Sequence, residues 1–207
     1  MALGSYSYHL NALKGKLSFG LRAGIYDYVY DFGKAKVKDA GDVYNTGSRS
    51  SKVTGTADFG AYYYTKTFYW GFSMNHLNRG KISDMAVNDT SSRQAFHFFM
   101  PVGKAFEVGS VVLNPSLLIK YAAHSPTQVD INMNVLLKER LWLGASYRTG
   151  YGIVFLTQYL ISEKLKVGYS FDYGFNKIGV AGRATHEIMI GYELNVKGAK
   201  MEMLRYF

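Results

Sequence analysis

The chain has 207 residues, of which 48% are apolar and 16% aromatic, and this composition is too rich in large apolar side chains for a disordered protein. Its net charge of +9 comes from lysine and arginine residues that are spread along the chain rather than clustered, which argues against a nucleic-acid partner. The sequence contains no apolar run of about 18 residues, and a transmembrane helix is therefore excluded.

Segments with alternating apolar and polar residues follow one another along the chain and predict about eleven strands joined as successive hairpins. In chain order, the predicted strands cover about residues 4–11, 15–26, 53–64, 67–76, 93–106, 111–121, 127–137, 140–149, 151–161, 164–174 and 183–194. Two polar segments, 31–52 and 78–92, are predicted to be long loops, whereas the turns near Glu139 and Glu163 are short. Outer-membrane barrels have this asymmetry between long loops and short turns.

The clearest alternation lies at residues 164–174. The apolar side of this segment consists of Leu165, Val167, Tyr169, Phe171 and Tyr173, and the other side of Lys, Gly, Ser and Asp. Its length suits a membrane-crossing strand, with one face suited to lipid and the other to a polar interior. Two segments are less regular, because 151–161 is apolar on both faces and Pro115 predicts a bulge or irregular pairing in its strand.

The side of the predicted strands opposite the apolar residues is dominated by Gly, Ser, Asn and Tyr, with about one charged residue per strand. A soluble sandwich would have more charges where this face meets water, so the pattern favours a membrane barrel, with a soluble barrel or sandwich as the alternative. The charged residues predicted to point to the interior are Arg22, Asp58, Lys120, Asp130, Arg148, Lys166, Asp172, Glu187 and Glu193. Since both signs are present, these side chains would either pair and close the interior or line a narrow pore.

The odd strand count and the first residues of the chain lead to one expectation. Bacterial barrels have an even number of strands, and an open sheet edge is not tolerated in lipid. The first ten residues lack the basic start and continuous apolar core of a secretory signal and already alternate as a strand does. We therefore expect residues 1–207 to form a single barrel domain from which N-terminal strands are missing.

Several motifs occur in an order that resembles one family. They are SYSYHL at 5–10, LSFGLRAGI at 17–25, PSLLIKY at 115–121, QVDIN at 128–132, LWLGASYRT at 141–149, VGYSFDY at 167–173, HEIMIGY at 186–192 and RYF at 205–207. As an ordered set they resemble the PorP/SprF family of the type IX secretion system.

The resemblance implies an antiparallel transmembrane β-barrel of the bacterial outer membrane that takes part in protein secretion. It further implies a role in the surface attachment of secreted adhesins and in gliding motility. Its implied partners are outer-membrane lipid and a secreted protein or other secretion-system components, with no nucleic acid, no cofactor and no enzymatic activity. Members of the family resemble barrels of about fourteen strands, so about three strands would precede this sequence.

Residue patterns for catalysis or metal binding are weak. The chain has no cysteine, and its five histidines lack metal-ligand spacing. Asp172 and Glu187 could form a carboxylate pair for hydrolysis, and the alternative is that they are salt-bridge partners of Arg148 and Lys166.

The loop at 31–52 is predicted to be the surface that meets a protein partner, because long loops on a rigid scaffold often have this role. Its candidate contact residues are Lys34, Lys36, Lys38 and Asp42.

The sequence leaves three functions open: a non-enzymatic secretion component, a porin-like diffusion channel for small solutes and a barrel enzyme. Paired interior charges would favour the first, an open conducting interior the second, and a Ser/His/Asp cluster the third.

Overall fold

The computed structural model describes residues 1–34, 49–87, 90–176, 182 and 184–193. The elements assigned within these residues are β-strands and one short 3-10 helix at Phe32–Lys34. The strands are Ala2–Ala12 (β1), Gly15–Asp31 (β2), Arg49–Tyr64 (β3), Phe68–Asn75 (β4), Lys81–Val87 (β5), Thr90–Arg93 (β6), His97–Lys104 (β7), Phe106–Val108 (β8), Val111–Ala122 (β9), Gln128–Leu137 (β10), Leu141–Arg148 (β11), Gly152–Leu160 (β12), Leu165–Gly174 (β13) and Ala184–Tyr192 (β14).

The strands form one large antiparallel sheet in which neighbours in sequence are neighbours in space. Its order is β1-β2-β3-β4-β7-β9-β10-β11-β12-β13-β14, with β8 continuing the line of β7 beside β9. The prediction of an all-β antiparallel fold is thus confirmed. Within the described residues β1 and β14 each have a partner on one side only, so the sheet is open and barrel closure stays a prediction.

The structure contains paired strand residues in both segments that were predicted to be long loops. The prediction that 78–92 is a loop is wrong, because β5 and β6 pair there as a separate hairpin. Polar and apolar residues are mixed on both sides of β5, and β6 is wholly polar, so no alternation shows that they are strands. The other predicted loop is shorter than expected, since β2 continues to Asp31, which pairs with Arg49 at the start of β3.

Pro115 lies within β9, whose pairing with β10 is regular through the Met133–Pro115 pair. On the other side of β9, the ladder with β7 ends at the Gly103–Ser116 pair and resumes in β8 at Phe106–Leu113. The interruption lies opposite Pro115, which has no N–H to donate. The predicted irregular pairing is confirmed on this side, and β9 itself has no register shift.

Directly opposed residues on paired strands share a face, so the register divides the sheet into two faces. We call one the apolar face; its members include Leu21, Phe59, Phe98, Ile119, Ile131, Tyr147, Phe155, Tyr169 and Ile188. We call the other the polar face; its members include Ser18, Gly60, Ser73, Ser116, Asn132, Ser146 and Ser170.

Large side chains of the apolar face are exposed, and the buried apolar residues of the described chain are only Ala61, Ala105, Val112 and Leu136. A soluble sandwich would cover such a face with a second sheet. The exposed apolar face therefore suits contact with lipid. The described residues include no helix that is long and apolar enough to cross a membrane.

If the apolar face meets lipid, a charge at its centre will be costly. Leu117 lies at the middle of β9 on this face, whereas Leu13 lies in the turn between β1 and β2. We expect Leu117→Arg to lower the free energy of unfolding by about 2–4 kcal/mol, and Leu13→Arg to have little effect. Urea unfolding of both variants in phospholipid vesicles measures the difference, and equal losses would contradict the assignment of the faces.

Candidate functional site

The candidate site is the charged part of the polar face. The pairing register connects the residues predicted to face the interior, because Arg22 lies directly opposite Asp58, and Asp130 opposite Arg148. The polar face also contains four further charged residues, each placed there by its cross-strand pair: Lys120 with Gln128, Lys166 with Gly191, Asp172 with Thr185 and Glu187 with Ser170. Glu193 follows β14 two residues after Gly191 and contacts Lys166. The structure thus brings the predicted charged residues to a single face.

Among the residues that the structure describes, Asp130 is the centre of an ion-pair group of three charges on this face. Its carboxylate accepts from Lys120 Nζ at 2.7 Å and lies 3.2 Å from Arg148 Nε. The side chain of Asp130 is only 6% exposed, whereas the two cations are partly exposed. The guanidinium of Arg148 also lies over the ring of Tyr151, 5.4 Å from its centre. One carboxylate therefore holds three adjacent strands, β9, β10 and β11, by charge-assisted hydrogen bonds.

A second buried carboxylate, Asp58, connects β2, β3 and the end of β4. Arg22 Nε donates to Asp58 Oδ2 at 2.5 Å, and the backbone N–H of His76 donates to Asp58 Oδ1 at 2.8 Å. A further hydrogen bond of 2.9 Å joins His76 Nδ1 to the hydroxyl of Thr56. Both oxygens of the carboxylate are thus satisfied, as a buried charge requires.

Lys166 Nζ donates to Glu193 Oε1 at 3.1 Å. The predicted ion pairing of Asp172 and Glu187 with Arg148 and Lys166 is therefore wrong within the described residues. The register explains the difference, since Arg148 faces Asp130, while Asp172 faces Thr185 and Glu187 faces Ser170. Cross-strand partners of this kind depend on the pairing register, which local alternation does not reveal.

Apolar side chains fill the polar face near its short turns, and the sequence pattern missed them. Ala105, Val112 and Leu136 are buried together there, with Trp142 packed against them. Val112 lies opposite Leu136 in the β9–β10 pair, and Leu136 lies opposite Trp142 in the β10–β11 pair. The signal in the sequence was the loss of alternation at Leu136 and Leu137. We call these four residues the apolar cluster.

Histidine and serine contacts show what chemistry the described residues bring together. No group of three or more His, Asp or Glu side chains in these residues is arranged to hold a metal ion. His9 Nδ1 lies 2.6 Å from Ser18 Oγ and its Nε2 lies 3.3 Å from Ser7 Oγ, so both ring nitrogens contact hydroxyls. A catalytic triad would instead need an acid against the histidine.

The predicted partner loop is only partly described. Lys34 is exposed in the short 3-10 helix that follows β2, and its Nζ lies 3.6 Å from Asp31. Lys36, Lys38 and Asp42 lie outside the described residues. β2 and β3 pair up to Asp31 and Arg49, so Lys34 lies at the end of the sheet opposite the short turns.

A polar cluster near the same end was also missed by sequence reasoning. Gln94 is buried, and its Nε2 donates a hydrogen bond to the Tyr28 hydroxyl at 3.3 Å. Its backbone N–H donates to the carbonyl oxygen of Gly80 at 2.9 Å. Burial lowers the pKa of His76, which lies just beyond β4; nearby Asp58 opposes this shift, while His97 and Arg22 add to it. The rings of His76 and His97 are 6.0 Å apart. The net effect favours the neutral form of His76.

The sequence matches a protein-family model over most of its length. The model described as "Type IX secretion system membrane protein PorP/SprF" matches residues 1–192. No curated protein and no solved structure matches the chain.

Loss of the Asp130 carboxylate should leave Lys120 and Arg148 with unpaired charges. We expect Asp130→Asn to lower the free energy of unfolding by about 2–3 kcal/mol, less than for a fully buried pair because both cations reach solvent. Asp172→Asn is the matched control, because Asp172 lies on the same face without an ion pair among the described residues. Urea titration of the three proteins measures the effect, and similar losses in both variants would contradict the role of Asp130.

The lowered pKa of His76 makes stability depend on pH. His76 takes up a proton more readily in the unfolded chain than in the folded one. Its contribution to the free energy of unfolding is therefore fully present above its ordinary pKa of about 6.5 and is lost as the pH falls through the lowered pKa of the folded state. We expect the urea midpoint of the wild type to fall between about pH 7.5 and pH 5.5, and His76→Asn to reduce this fall. Asparagine tolerates the positive φ of 59° at this position.

His124→Asn is the control for this experiment. His124 is an exposed turn residue that also has a positive φ, of 66°. Its substitution should leave the fall in the urea midpoint as large as in the wild type. An unchanged pH dependence in the His76→Asn variant would show that other groups cause it.

Proposed function

The chain belongs to the PorP/SprF family of type IX secretion system membrane proteins, and we propose from this premise that it supports export or cell-surface attachment of secreted proteins, such as gliding adhesins. The family resemblance predicted from the motifs is confirmed over residues 1–192. Members of this family are outer-membrane components, so the predicted localisation is also confirmed. The role in attachment, the barrel and the partners are the proposed part.

We propose that the sheet is the wall of a transmembrane barrel, with its apolar face toward lipid and its polar face toward the interior. Exposed large side chains on the first face and buried charges on the second support this orientation. In lipid every backbone N–H and C=O must be paired, and within the described residues β1 and β14 each have a partner on one side only. Pairing along these two edges would close the barrel.

The ion pairing on the polar face is the observation that favours a secretion component over a diffusion channel. Within the described part of the chain, seven of the nine charged residues predicted to face the interior, all except Asp172 and Glu187, form ion pairs with one another, and paired charges are less available to attract permeating ions. The apolar cluster around Leu136 and Trp142 also occupies the interior side near the short turns. Both features support an interior that is filled and rigid rather than open.

We propose that the secreted partner binds at the long-loop end. β2 and β3 pair up to Asp31 and Arg49, so a long hairpin leads to the segment that contains Lys34, Lys36 and Lys38. Three lysines spaced two residues apart would suit an acidic surface on a partner. The short turns at the other end offer much less chain for such a contact.

A cell-surface assay tests this proposal. In cells that lack their own copy of the gene, the wild-type chain should restore surface attachment of a type IX cargo protein. We expect Lys34→Glu, Lys36→Glu and Lys38→Glu combined to reduce the attached cargo about tenfold or more, because three contacts reverse sign. The matched control reverses Lys66, Lys138 and Lys164 in the short turns and should retain attachment.

Barrel content in outer-membrane fractions must be equal for all variants in this assay. Persistent attachment with the loop variant would contradict the proposed binding surface. Planar-bilayer recording addresses the alternative function, since a filled interior should give no stepwise conductance. Steady conductance of the wild-type protein would instead establish a diffusion channel.

A further inference from the structure

Lys104 differs from the other residues of the apolar face. Among the described residues of the large sheet, the charged side chains on this face are Asp27, Asp31, Arg49 and Lys104. The first three lie where β2 and β3 extend toward the long loop. Lys104 instead lies in β7, with Val102 and Phe106 as its neighbours along the same face. A lysine so placed in a lipid-facing strand is unfavourable unless an anion or water reaches it.

A groove of about 580 Å³ begins beside Lys104 and crosses the apolar face. It follows one row of residues across the apolar face, formed by Lys104, Pro115, Met133, Ala145 and Phe155. Neighbours in this row are directly paired except Lys104 and Pro115, where the ladder beside β9 is interrupted. From Lys104 to Phe155 the row spans four inter-strand spacings, or about 19 Å at about 4.8 Å each. The short side chains of Pro115 and Ala145 leave the depression, and its lining is almost entirely apolar. The groove is therefore long and narrow, as an acyl chain is.

The ammonium of Lys104 lies at one end of this groove. Its Nζ is 5.0 Å from the centre of the Phe106 ring, so the side chain rests on the ring and the charge stays exposed. β8 leads from Phe106 to Val108 and the turn at Gly109, which places Lys104 toward the short-turn side of the sheet. The phosphates of a bilayer leaflet lie on that side of the hydrocarbon.

We propose that Lys104 and the adjoining groove bind one phospholipid of the short-turn leaflet, with the lipid phosphate on the ammonium and one acyl chain along the groove. The inference rests on the proposed orientation of the apolar face toward lipid. Charge complementarity favours a phospholipid in this groove, because an apolar groove that ends at a single exposed cation matches an acyl chain that ends at a phosphate. A lysine that merely extends to the interface would need neither the groove nor a particular lipid.

Native mass spectrometry of the full chain with dioleoyl phosphatidylglycerol tests the proposal. We expect one lipid retained per wild-type chain, and an affinity about tenfold or more lower for Lys104→Ala, as for loss of one charge-assisted contact. Lys104→Arg should retain binding. Ala145→Leu should weaken it while Lys104 is intact, because the added side chain fills the groove. Dioleoylglycerol, which has the chains without the phosphate, should bind more weakly.

Two matched controls separate this site from general lipid contact. Lys66→Ala removes another lysine from the short-turn side, and Ala23→Leu enlarges another alanine of the apolar face, far from the groove. Both should bind as the wild type does. Inorganic phosphate should not displace the lipid, which distinguishes a lipid site from an ion site. Equal binding by Lys104→Ala and the wild type, or by Ala145→Leu and Ala23→Leu, would overturn the inference.

Failure of the proposed orientation gives a different result. Heat-modifiable migration in gels reports folding of each variant in membranes independently of the retained lipid. Folded wild type without preferential lipid retention would refute the lipid site alone. Resistance of Leu117→Arg to any loss of stability would refute the orientation on which the site depends.

Discussion

The pairing register of the sheet is the constraint on which the other features depend. Successive residues of a strand alternate between faces, so a slip of one residue in any pair would exchange the faces of a whole strand. A slip in β10 would move Asp130 to the apolar face and Ile131 to the polar face. The first change would separate a buried carboxylate from Lys120 and Arg148, and the second would put an aliphatic side chain among ion pairs. The ion pairs and the apolar face therefore specify the same register.

The buried carboxylates act at the points where three elements meet. Asp130 contacts side chains from the strands on both of its sides, and Asp58 contacts a side chain of β2 and the backbone after β4. Such pairs add little net stability when compared with apolar substitutes, but breaking one is costly. Their effect is thus mainly specificity, since they penalise any arrangement that separates the partners. A polar face fixed by ion pairs in this way suits the proposed scaffold that holds a protein partner at one end.

The sequence predicted the strands and their faces well because alternation is local. The face of Arg22, Lys120 and Asp172 follows from the neighbours of each residue in its own strand. Partners across strands could not be read in this way, and Lys166 pairs with Glu193 rather than with Glu187. The hairpin β5–β6 and the apolar cluster escaped prediction for related reasons. The hairpin lacks an apolar face, and Leu136 is apolar at a position where alternation predicts a polar residue.

The same constraint gives the edges of the sheet their significance. Among the large apolar side chains of the described strands, the four most exposed lie on β14 and β1, and Ile188 on β14 is 81% exposed. Inside the sheet, a residue of the apolar face has a neighbour on both adjacent strands, as Ile131, which is 51% exposed, is flanked by Leu117 and Tyr147. An edge strand in lipid loses both this packing and the hydrogen bonds of one backbone side. Strands that pair with β1 and β14 would therefore restore packing and hydrogen bonding together, and their register would be set by the same alternation that divides the rest of the sheet.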